Sequence, residues 1–210
     1  MNQFKKVLVL APHTDDGELG CGASIHKFSS EGADVFYVAF SICTRSLPEH
    51  LHPMTLAEEV KRATELLGVR KENLILYDYD VRHFPAIRQT ILEEMVALEK
   101  QIKPDLVLMP CSTDIHQDHQ TIYAEGLRAF KRTTILGYEL PWNNLSFTTN
   151  TFVTLNESNV QQKIKALNEY ESQKTRSYLN ADFIRSLAKT RGVQIAADYA
   201  EAFELIRWII

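Results

Sequence analysis

The fold of this chain follows from one stretch near its start, KKVLVLAPHTDDGE at residues 5–18. Residues 5–11 are a short, continuous run of mostly branched apolar side chains, which is typical of a strand buried on both faces of a parallel sheet. A polar, acidic loop follows at once. Ligands bind open α/β sheets at the carboxyl ends of the strands, so we expect the functional side chains in the loops that follow such runs.

The same pattern recurs along the first half of the chain. Further apolar runs lie at residues 34–39, 74–77 and 105–109, and segments with helical periodicity lie at 20–29, 56–67 and 86–101. Gly32, Gly68 and Pro104 stand where these helices are expected to end. The alternation predicts an α/β, Rossmann-like three-layer fold with a mostly parallel central sheet and an active site at the carboxyl ends of its strands.

The second half of the chain is less regular. After an apolar run at 135–140, we predict strands at 152–155 and 203–209 and a helix at 160–170. No repeat or linker interrupts the chain, and 210 residues are few for two independent hydrophobic cores. The sequence therefore predicts a single domain over residues 1–210.

Composition restricts the class of protein. Hydrophobic residues make up 45% and charged residues 24%, as in ordinary soluble globular proteins. The net charge of -4 and the lack of a dense basic block argue against a nucleic-acid partner. No apolar run is long enough for a signal peptide or a transmembrane segment, so we expect a cytoplasmic protein. Three cysteines without a C-x-x-C pair indicate neither a disulfide framework nor a thiolate metal site.

The loop after the first run contains His13, Asp15 and Asp16. A dinucleotide site there would need a glycine-rich turn, and two carboxylates would repel its phosphates. An imidazole beside carboxylates instead suits a divalent cation. The alternative is that the two aspartates cap the helix that begins near Glu18. Glu18 itself is expected to brace the loop by bonding backbone amides.

A second polar loop follows the fourth apolar run and contains His116, Asp118 and His119 in an H-x-D-H pattern. In a sheet of strand order 3-2-1-4, the first and fourth strands are neighbours and the two loops converge. Three ligands drawn from His13, Asp16, His116 and His119 would leave a metal one open position, which is typical of catalytic zinc. A nearby carboxylate can then accept the proton of an attacking water.

The two motifs together resemble those of the LmbE-like, or PIG-L, family of zinc-dependent N-acetylglucosamine deacetylases, whose hallmarks are a P-H-x-D-D-x-E loop and a downstream H-x-D-H. The resemblance extends to YELP at 138–141 and to the RG and YAEAF segments at 191–192 and 199–203. Three positions depart from the family pattern, because Thr14 replaces a proline and Ala196 and Asp198 replace the usual Gly and Pro.

The resemblance implies a role for each motif residue. His13, Asp16 and His119 would bind one Zn²⁺ per chain, with Fe²⁺ as an alternative metal. Asp15 would be the general base, and His116, as a cationic donor assisted by Asp118, would stabilise the oxyanion. The implied reaction removes the N-acetyl group from an N-acetylated amino sugar of the GlcNAc type. Relatives often form trimers or hexamers, which implies a homo-oligomer here too.

Three further residues are candidates for substrate binding. Arg45 is placed to bind a phosphate or carboxylate, or is a solvated loop arginine. Trp142 is placed to stack on a sugar face, or only packs. Tyr199 would offer a hydroxyl to the oxyanion or to the sugar. Two other functions remain open at this point: a metal-dependent phosphoesterase, and a non-catalytic, metal-stabilised sugar-binding module in which Asp15 would have no role.

Overall fold

The computed structural model describes residues 4–209. Within that range the strands are β1 (Lys6–His13), β2 (Asp34–Ser41), β3 (Leu74–Leu76), β4 (Leu106–Pro110), β5 (Thr134–Tyr138), β6 (Thr151–Leu155) and β7 (Tyr199–Arg207). The helices are α1 (Asp16–Ser30), α2 (Thr55–Leu66), α3 (Arg88–Ile102), α4 (Gln117–Ala129), α5 (Glu157–Leu167) and α6 (Ala181–Val193).

The strands form one sheet of order β3-β2-β1-β4-β5-β7-β6. β1 to β5 are parallel, with β1 between β2 and β4, and β7 pairs antiparallel with both β5 and β6. The predicted neighbourhood of the first and fourth strands is therefore confirmed. Because both strands run in the same direction, the loop after His13 and the loop after Pro110 leave the same edge of the sheet.

The helices cover the sheet on both faces, which confirms the predicted three layers. Val7 and Val9 of β1 pack into one hydrophobic cluster with side chains of α1, α2, α5 and α6. Leu8 and Leu10 pack into a second cluster with side chains of α3 and α4. Since alternate residues of a strand point to opposite faces, a continuous apolar run is what a sheet covered on both sides requires.

The first half of the chain matches its prediction more closely than the second. Gly32 and Gly68 adopt φ angles of +91° and +84° after α1 and α2, as expected of helix-ending glycines. Helix α1 begins at Asp16, earlier than predicted, and β7 begins at Tyr199 rather than at residue 203. Helix α6 was not predicted at all. Within residues 4–209, no helix combines the length and apolar character needed to cross a membrane.

Helix α1 is interrupted at Cys21, whose φ of -146° and ψ of 25° are not helical. In a regular helix the N–H of Ala23 would donate to the carbonyl of Leu19, four residues earlier. Instead, the amides of Ala23 and Ser24 donate to the carboxylate of Glu201 on β7, at 3.2 and 2.7 Å. The break in the helical ladder therefore frees backbone groups for a side chain from a distant strand.

Lys163 of α5 completes this arrangement. Its Nζ donates to the freed carbonyl of Leu19 and to Glu201 Oε1, each at 2.7 Å, and both charged side chains are buried. The two released amides and the carbonyl of Leu19 thus find charged partners, as buried polar groups require. The pair fixes the junction between the first turns of α1, which lie at the sheet edge, and the rest of the helix.

Replacing Lys163 by methionine should destabilise the fold severely, because it leaves Glu201 buried without its counter-charge and Leu19 without a donor. We expect a loss of about 3–5 kcal/mol in the free energy of unfolding. Lys165→Met, an exposed position on the same helix, is the matched control and should change stability by no more than about 0.5 kcal/mol. Urea unfolding of both variants measures the difference. Equal, small losses would contradict this account of the kink.

Candidate active site

The loop between β1 and α1 directs two adjacent carboxylates differently. Asp16 is the first residue of α1, and its Oδ2 accepts a hydrogen bond from the backbone N–H of His13 at 2.8 Å. Asp15 occupies the N-cap position, yet its side chain makes no capping hydrogen bond. The alternative that both aspartates serve as helix caps therefore does not describe this loop, and the Asp15 carboxylate remains available to the cavity that it lines.

The loop between β4 and α4 is ordered by a histidine. His116 is the N-cap residue of α4, and its Nδ1 accepts a hydrogen bond from the backbone N–H of Asp118 at 3.2 Å. His119 follows in the first turn and is almost fully buried. The H-x-D-H spacing thus places His116 at the N-cap and His119 in the first turn of α4, where His119 faces β1.

The two loops converge as predicted. His13 Nδ1, Asp16 Oδ2 and His119 Nε2 form a triangle whose sides measure 3.1 Å (His13 to Asp16), 3.2 Å (Asp16 to His119) and 3.4 Å (His13 to His119). His116 lies beside this triangle, because His13, His116 and His119 each offer a ring nitrogen within 4.8 Å of the others. These side chains form a group that can hold a metal ion.

Two carboxylates orient the two central imidazoles. Asp114 Oδ2 lies 2.8 Å from His119 Nδ1, which leaves Nε2 of that ring facing the triangle. Asp118 Oδ2 lies 3.1 Å from His13 Nε2 and also accepts the backbone N–H of Arg82 at 2.6 Å. Carboxylates that hold the far nitrogen of a histidine are the usual outer partners of metal-binding imidazoles.

Asp118 contacts a second histidine besides His116, the one that the resemblance paired it with. Its carboxylate contacts His13, its backbone N–H donates to His116, and the charge of the carboxylate also acts on the His116 ring. Asp114 was not singled out from the sequence, although a buried acid five residues before His119 was the available signal. A carboxylate can only be assigned to an imidazole once the path of the loop is known.

Electrostatics at the triangle favours positive charge on the histidines and negative charge on Asp16. Burial alone would lower the pKa of His13 and of His119, but the neighbouring Asp16 and their other carboxylate partners raise these pKa values to about 9 and about 10. Burial would raise the pKa of Asp16, yet the two histidines hold it well below its usual range. The protein therefore presents a carboxylate ready to bind a cation, flanked by imidazoles that must lose protons to do so.

The pKa values of Asp15 and His116 are shifted mainly by burial and by like charges nearby. Burial, with a further contribution from the neighbouring charge of Asp16, raises the pKa of Asp15 to about 6. Burial and then the charges of His119 and His13 lower the pKa of His116. The lowered pKa favours the neutral imidazole, and a neutral ring whose Nδ1 accepts a hydrogen bond carries its proton on Nε2. The cationic form of His116 that the resemblance implied is thus disfavoured by its surroundings.

Glu18 braces the first loop mainly through contacts with other side chains. Its buried carboxyl group bonds the hydroxyls of Tyr37 and Tyr170, and both hydroxyls also lie within 2.9 Å of the carbonyl oxygen of Thr14. Burial raises the pKa of Glu18 to about 8. A protonated carboxyl group adds a third hydroxyl proton to this set of oxygens, which two tyrosines alone do not supply.

A cavity of about 320 Å³ opens over the triangle. Of the three predicted substrate-binding residues, Trp142 lines this cavity. Arg45 does not, since its guanidinium is exposed and bonds Asp80 at 2.7 Å. Tyr199 also lies outside the cavity, where its hydroxyl accepts a hydrogen bond from Arg185 at 3.1 Å. The structure thus separates Tyr199 from the site that the sequence assigned to it.

Part of the cavity lining comes from the segment at residues 168–180, which the sequence did not connect to the site. Tyr178 from this segment stacks on Trp142, with ring centroids 4.0 Å apart and planes inclined by 12°. Arg176 from the same segment also lines the cavity. No local pattern in the sequence marks these residues, because only the packing of the segment against α2 and the first loop brings them to the metal ligands.

Comparison with known proteins places the chain among deacetylases. The PIG-L family model, GlcNAc-PI de-N-acetylase, matches residues 8–130. The uncharacterized deacetylase YaiS of Escherichia coli K12 is 30% identical, over 81% of this chain and 93% of its own length. The diacetylchitobiose deacetylase of Thermococcus kodakarensis is 28% identical, over 98% of this chain and 84% of its own length.

Solved structures agree on the fold. The N,N'-diacetylchitobiose deacetylase of Pyrococcus horikoshii superimposes with a TM-score of 0.81 and 23% identity, covering 97% of this chain and 84% of its own. The matched family segment spans β1 to α4 and so contains both loops of the site. The protein is an enzyme of the N-deacetylase class. The chain belongs to the PIG-L family.

The raised pKa values of His13 and His119 predict how the stability of the metal-free protein depends on pH. In the unfolded chain each imidazole has a pKa near 6.5. In the folded protein the pKa is about 9 for His13 and about 10 for His119. At pH values between 6.5 and 9 the folded state therefore binds more protons than the unfolded state. Their contribution is complete below about pH 6.5 and is lost as the pH rises through 9 and 10. Urea unfolding in the presence of a chelator should therefore show stability falling over this range.

His119→Gln should flatten that decline, because one of the two protons is no longer bound. His50→Gln alters an exposed loop histidine and should follow the parent. Stability of the parent that stays level or rises from pH 6.5 to 10 would contradict the assigned protonation.

Proposed function

We propose that this protein is a zinc-dependent hydrolase that removes the N-acetyl group from an N-acetylated amino sugar of the GlcNAc type. One observation carries the proposal: three potential ligand atoms stand at ligand spacing, and Asp15, which bonds neither the helix nor a cation, lines the cavity above them.

The donor set fits a catalytic metal. In a tetrahedral zinc site the ligand atoms lie about 2.0–2.1 Å from the metal and hence about 3.3–3.4 Å from one another. The triangle of His13, Asp16 and His119 has sides of 3.1–3.4 Å. Three ligands on one side leave the cavity side open for substrate. Two imidazoles and one carboxylate also suit Fe²⁺, which makes iron the alternative metal.

A bound divalent cation would polarise the amide carbonyl and lower the pKa of a water molecule. Asp15 accepts the proton of the attacking water and delivers it to the amine nitrogen that leaves, a role for which a pKa of about 6 is suited. The Nε2–H of His116 donates to the developing oxyanion. Asp114 and Asp118 act as positioning residues. Each bonds the outer ring nitrogen of a histidine, so that the other nitrogen points to the position of the metal.

The acetylated sugar is supported by the relatives and by the cavity. Two of the similar proteins are named for deacetylation of diacetylchitobiose. A volume of about 320 Å³ lies at the small end of ligand pockets, which run from about 300 to 1,000 Å³. Trp142 and Tyr178 form an aromatic wall of the kind that packs against sugar rings. We further propose that the enzyme acts in the cytoplasm and that it forms a homo-oligomer.

The competing functions account for fewer of these features. A metal-stabilised sugar-binding module needs no buried carboxylate beside its ligands, so it gives no reason for the position of Asp15. A phosphoesterase often uses two metals bridged by carboxylates, whereas the cluster formed by the described residues supplies one ligand set. Family membership favours amide hydrolysis over both.

Loss of any of the three ligands should abolish metal binding. Purified protein should hold close to one zinc per chain, and His13→Ala, Asp16→Ala and His119→Ala should each lose it, as measured by inductively coupled plasma mass spectrometry. Because the imidazoles must release protons, calorimetric titration should show zinc affinity falling as the pH is lowered. His26→Ala, a histidine bonded to Asn159 on α5, should keep its metal. Full zinc in all three ligand variants would refute the site.

Asp15→Asn should retain the fold and the zinc but lower turnover of N-acetylglucosamine conjugates by about two to four orders of magnitude, the usual contribution of a positioned general base. Turnover of the parent should rise with pH through the pKa of Asp15, at or below about 6 because the cation lowers that pKa further. The acid limb should disappear in the variant. Asp198→Asn removes an exposed carboxylate and should behave like the parent.

The measurement is acetate release by zinc-loaded protein across the pH range. An Asp15→Asn variant of normal turnover would show that this residue is not the base. An inactive Asp15→Asn variant that has also lost its zinc would instead show that Asp15 is a metal ligand.

A further inference from the structure

Arg176 is a cavity residue for which the reaction has no evident use. It lines the same cavity as Asp15 and Asp16, and it comes from the segment 168–180 between α5 and α6. Within residues 4–209 it bonds neither the metal ligands nor the proposed oxyanion donor, and it acts on the proposed base, Asp15, only through its charge. A charged side chain placed in an active-site cavity without a role in the chemistry is a candidate for substrate recognition.

The segment that carries Arg176 is anchored on both sides of it. Before it, Ser172 donates to the buried carboxylate of Glu59 through its backbone N–H at 2.9 Å and its hydroxyl at 2.6 Å. After it, Tyr178 stacks on Trp142. The backbone position of Arg176 is therefore fixed relative to the cavity, while its long side chain remains exposed. Such anchoring reduces the entropy lost when the side chain binds a ligand.

The guanidinium of Arg176 forms no ion pair with a carboxylate within residues 4–209; its charge acts on Asp15 only at longer range, where it opposes the rise in pKa that burial causes. Its side chain makes one long hydrogen bond, from Nε to Gln173 Oε1 at 3.4 Å. By contrast, seven other arginines pair with carboxylates: Arg45, Arg62, Arg70, Arg88, Arg128, Arg185 and Arg191. The fork of donors on Arg176 is thus free to bind both oxygens of a carboxylate or phosphate.

The charge of the cavity points to the same kind of ligand. With a divalent cation bound and its histidine ligands neutral, Asp15 and Asp16 balance the charge of the cation. Arg176 is then the remaining formal charge among the side chains that line the cavity. A positive charge without an ion-pair partner in a concave, partly apolar site attracts anions.

From these observations we propose that Arg176 binds a negatively charged oxygen group, a carboxylate or a phosphate, on the amino-sugar substrate. The inference rests on the proposed function and makes it more specific, because the preferred substrate is then an anionic N-acetyl sugar. Arg45, the arginine favoured by the sequence, is a weaker candidate since Asp80 already neutralises it outside the cavity.

The test compares matched neutral and charged sugars on the zinc-loaded protein: N-acetylglucosamine, its 6-phosphate, and N-acetylmuramic acid, which carries a carboxylate. We expect kcat/KM for at least one charged sugar to exceed that for the neutral sugar by about ten- to a hundredfold, as for a hydrogen-bonded charge pair. Arg176→Gln should bring this ratio close to one, and Arg176→Lys should keep part of it. Whichever charged sugar is preferred identifies the group as phosphate or carboxylate.

Arg132→Gln is the matched control, because Arg132 is exposed, has no ion pair among the described residues and precedes β5 at the opposite edge of the sheet. It should leave the ratio unchanged. Equal kcat/KM for neutral and charged sugars in the parent, or an unchanged ratio in Arg176→Gln, would overturn the proposal.

Binding provides a readout that does not depend on turnover. Calorimetric titration of zinc-loaded Asp15→Asn protein, with and without Arg176→Gln, should show the charged sugar bound about ten- to a hundredfold more tightly only when Arg176 is present. If none of these sugars is deacetylated but this preference holds, the proposed reaction fails and the anion site stands. Acetate release without any charge preference would refute the anion site alone.

Discussion

One carboxylate oxygen, Oδ2 of Asp16, joins the parts of this molecule that make up its site. It accepts the backbone N–H of His13 and lies within 3.2 Å of the imidazoles of His13 and His119. A group buried in this way is stable as an anion only because the histidines compensate for lost solvation. The same balance makes the loop receptive to a cation, since a metal can replace the protons that the histidines carry in its absence.

Asp16 lies in the first turn of α1, and this turn can point to the site because α1 is interrupted at Cys21. The kink at Cys21 directs the amides of Ala23 and Ser24 to Glu201, and Lys163 takes the carbonyl of Leu19. A regular helix would have kept these backbone groups for itself. The buried ion pair thus sets the direction of the short first segment, and with it the placement of Asp15 and Asp16 relative to β4.

The sequence predicts those parts of the fold and site whose signals are local. The strands β1 to β4 are covered on both faces, so their continuous apolar runs identify them, and the two motifs place His13, Asp16 and His119 at strand ends. Helix α6 and the full length of β7 lack such runs. The sequence also failed at Tyr199, because its hydroxyl is bound to Arg185 on α6, a contact between elements whose pairing no local pattern records.

Reaction and substrate choice are carried by different parts of the chain. The ligands and the base lie in loops fixed to parallel strands, whereas Arg176 and Tyr178 lie in a segment that follows α5 and is anchored by side-chain bonds. Tyr170 connects the two, because its hydroxyl bonds both Glu18 and the carbonyl of Thr14 in the first loop. Residues of this segment that face the cavity can therefore be substituted while Tyr170 holds the segment in position beside the site. Such an arrangement allows one fold to keep its chemistry and vary its substrate.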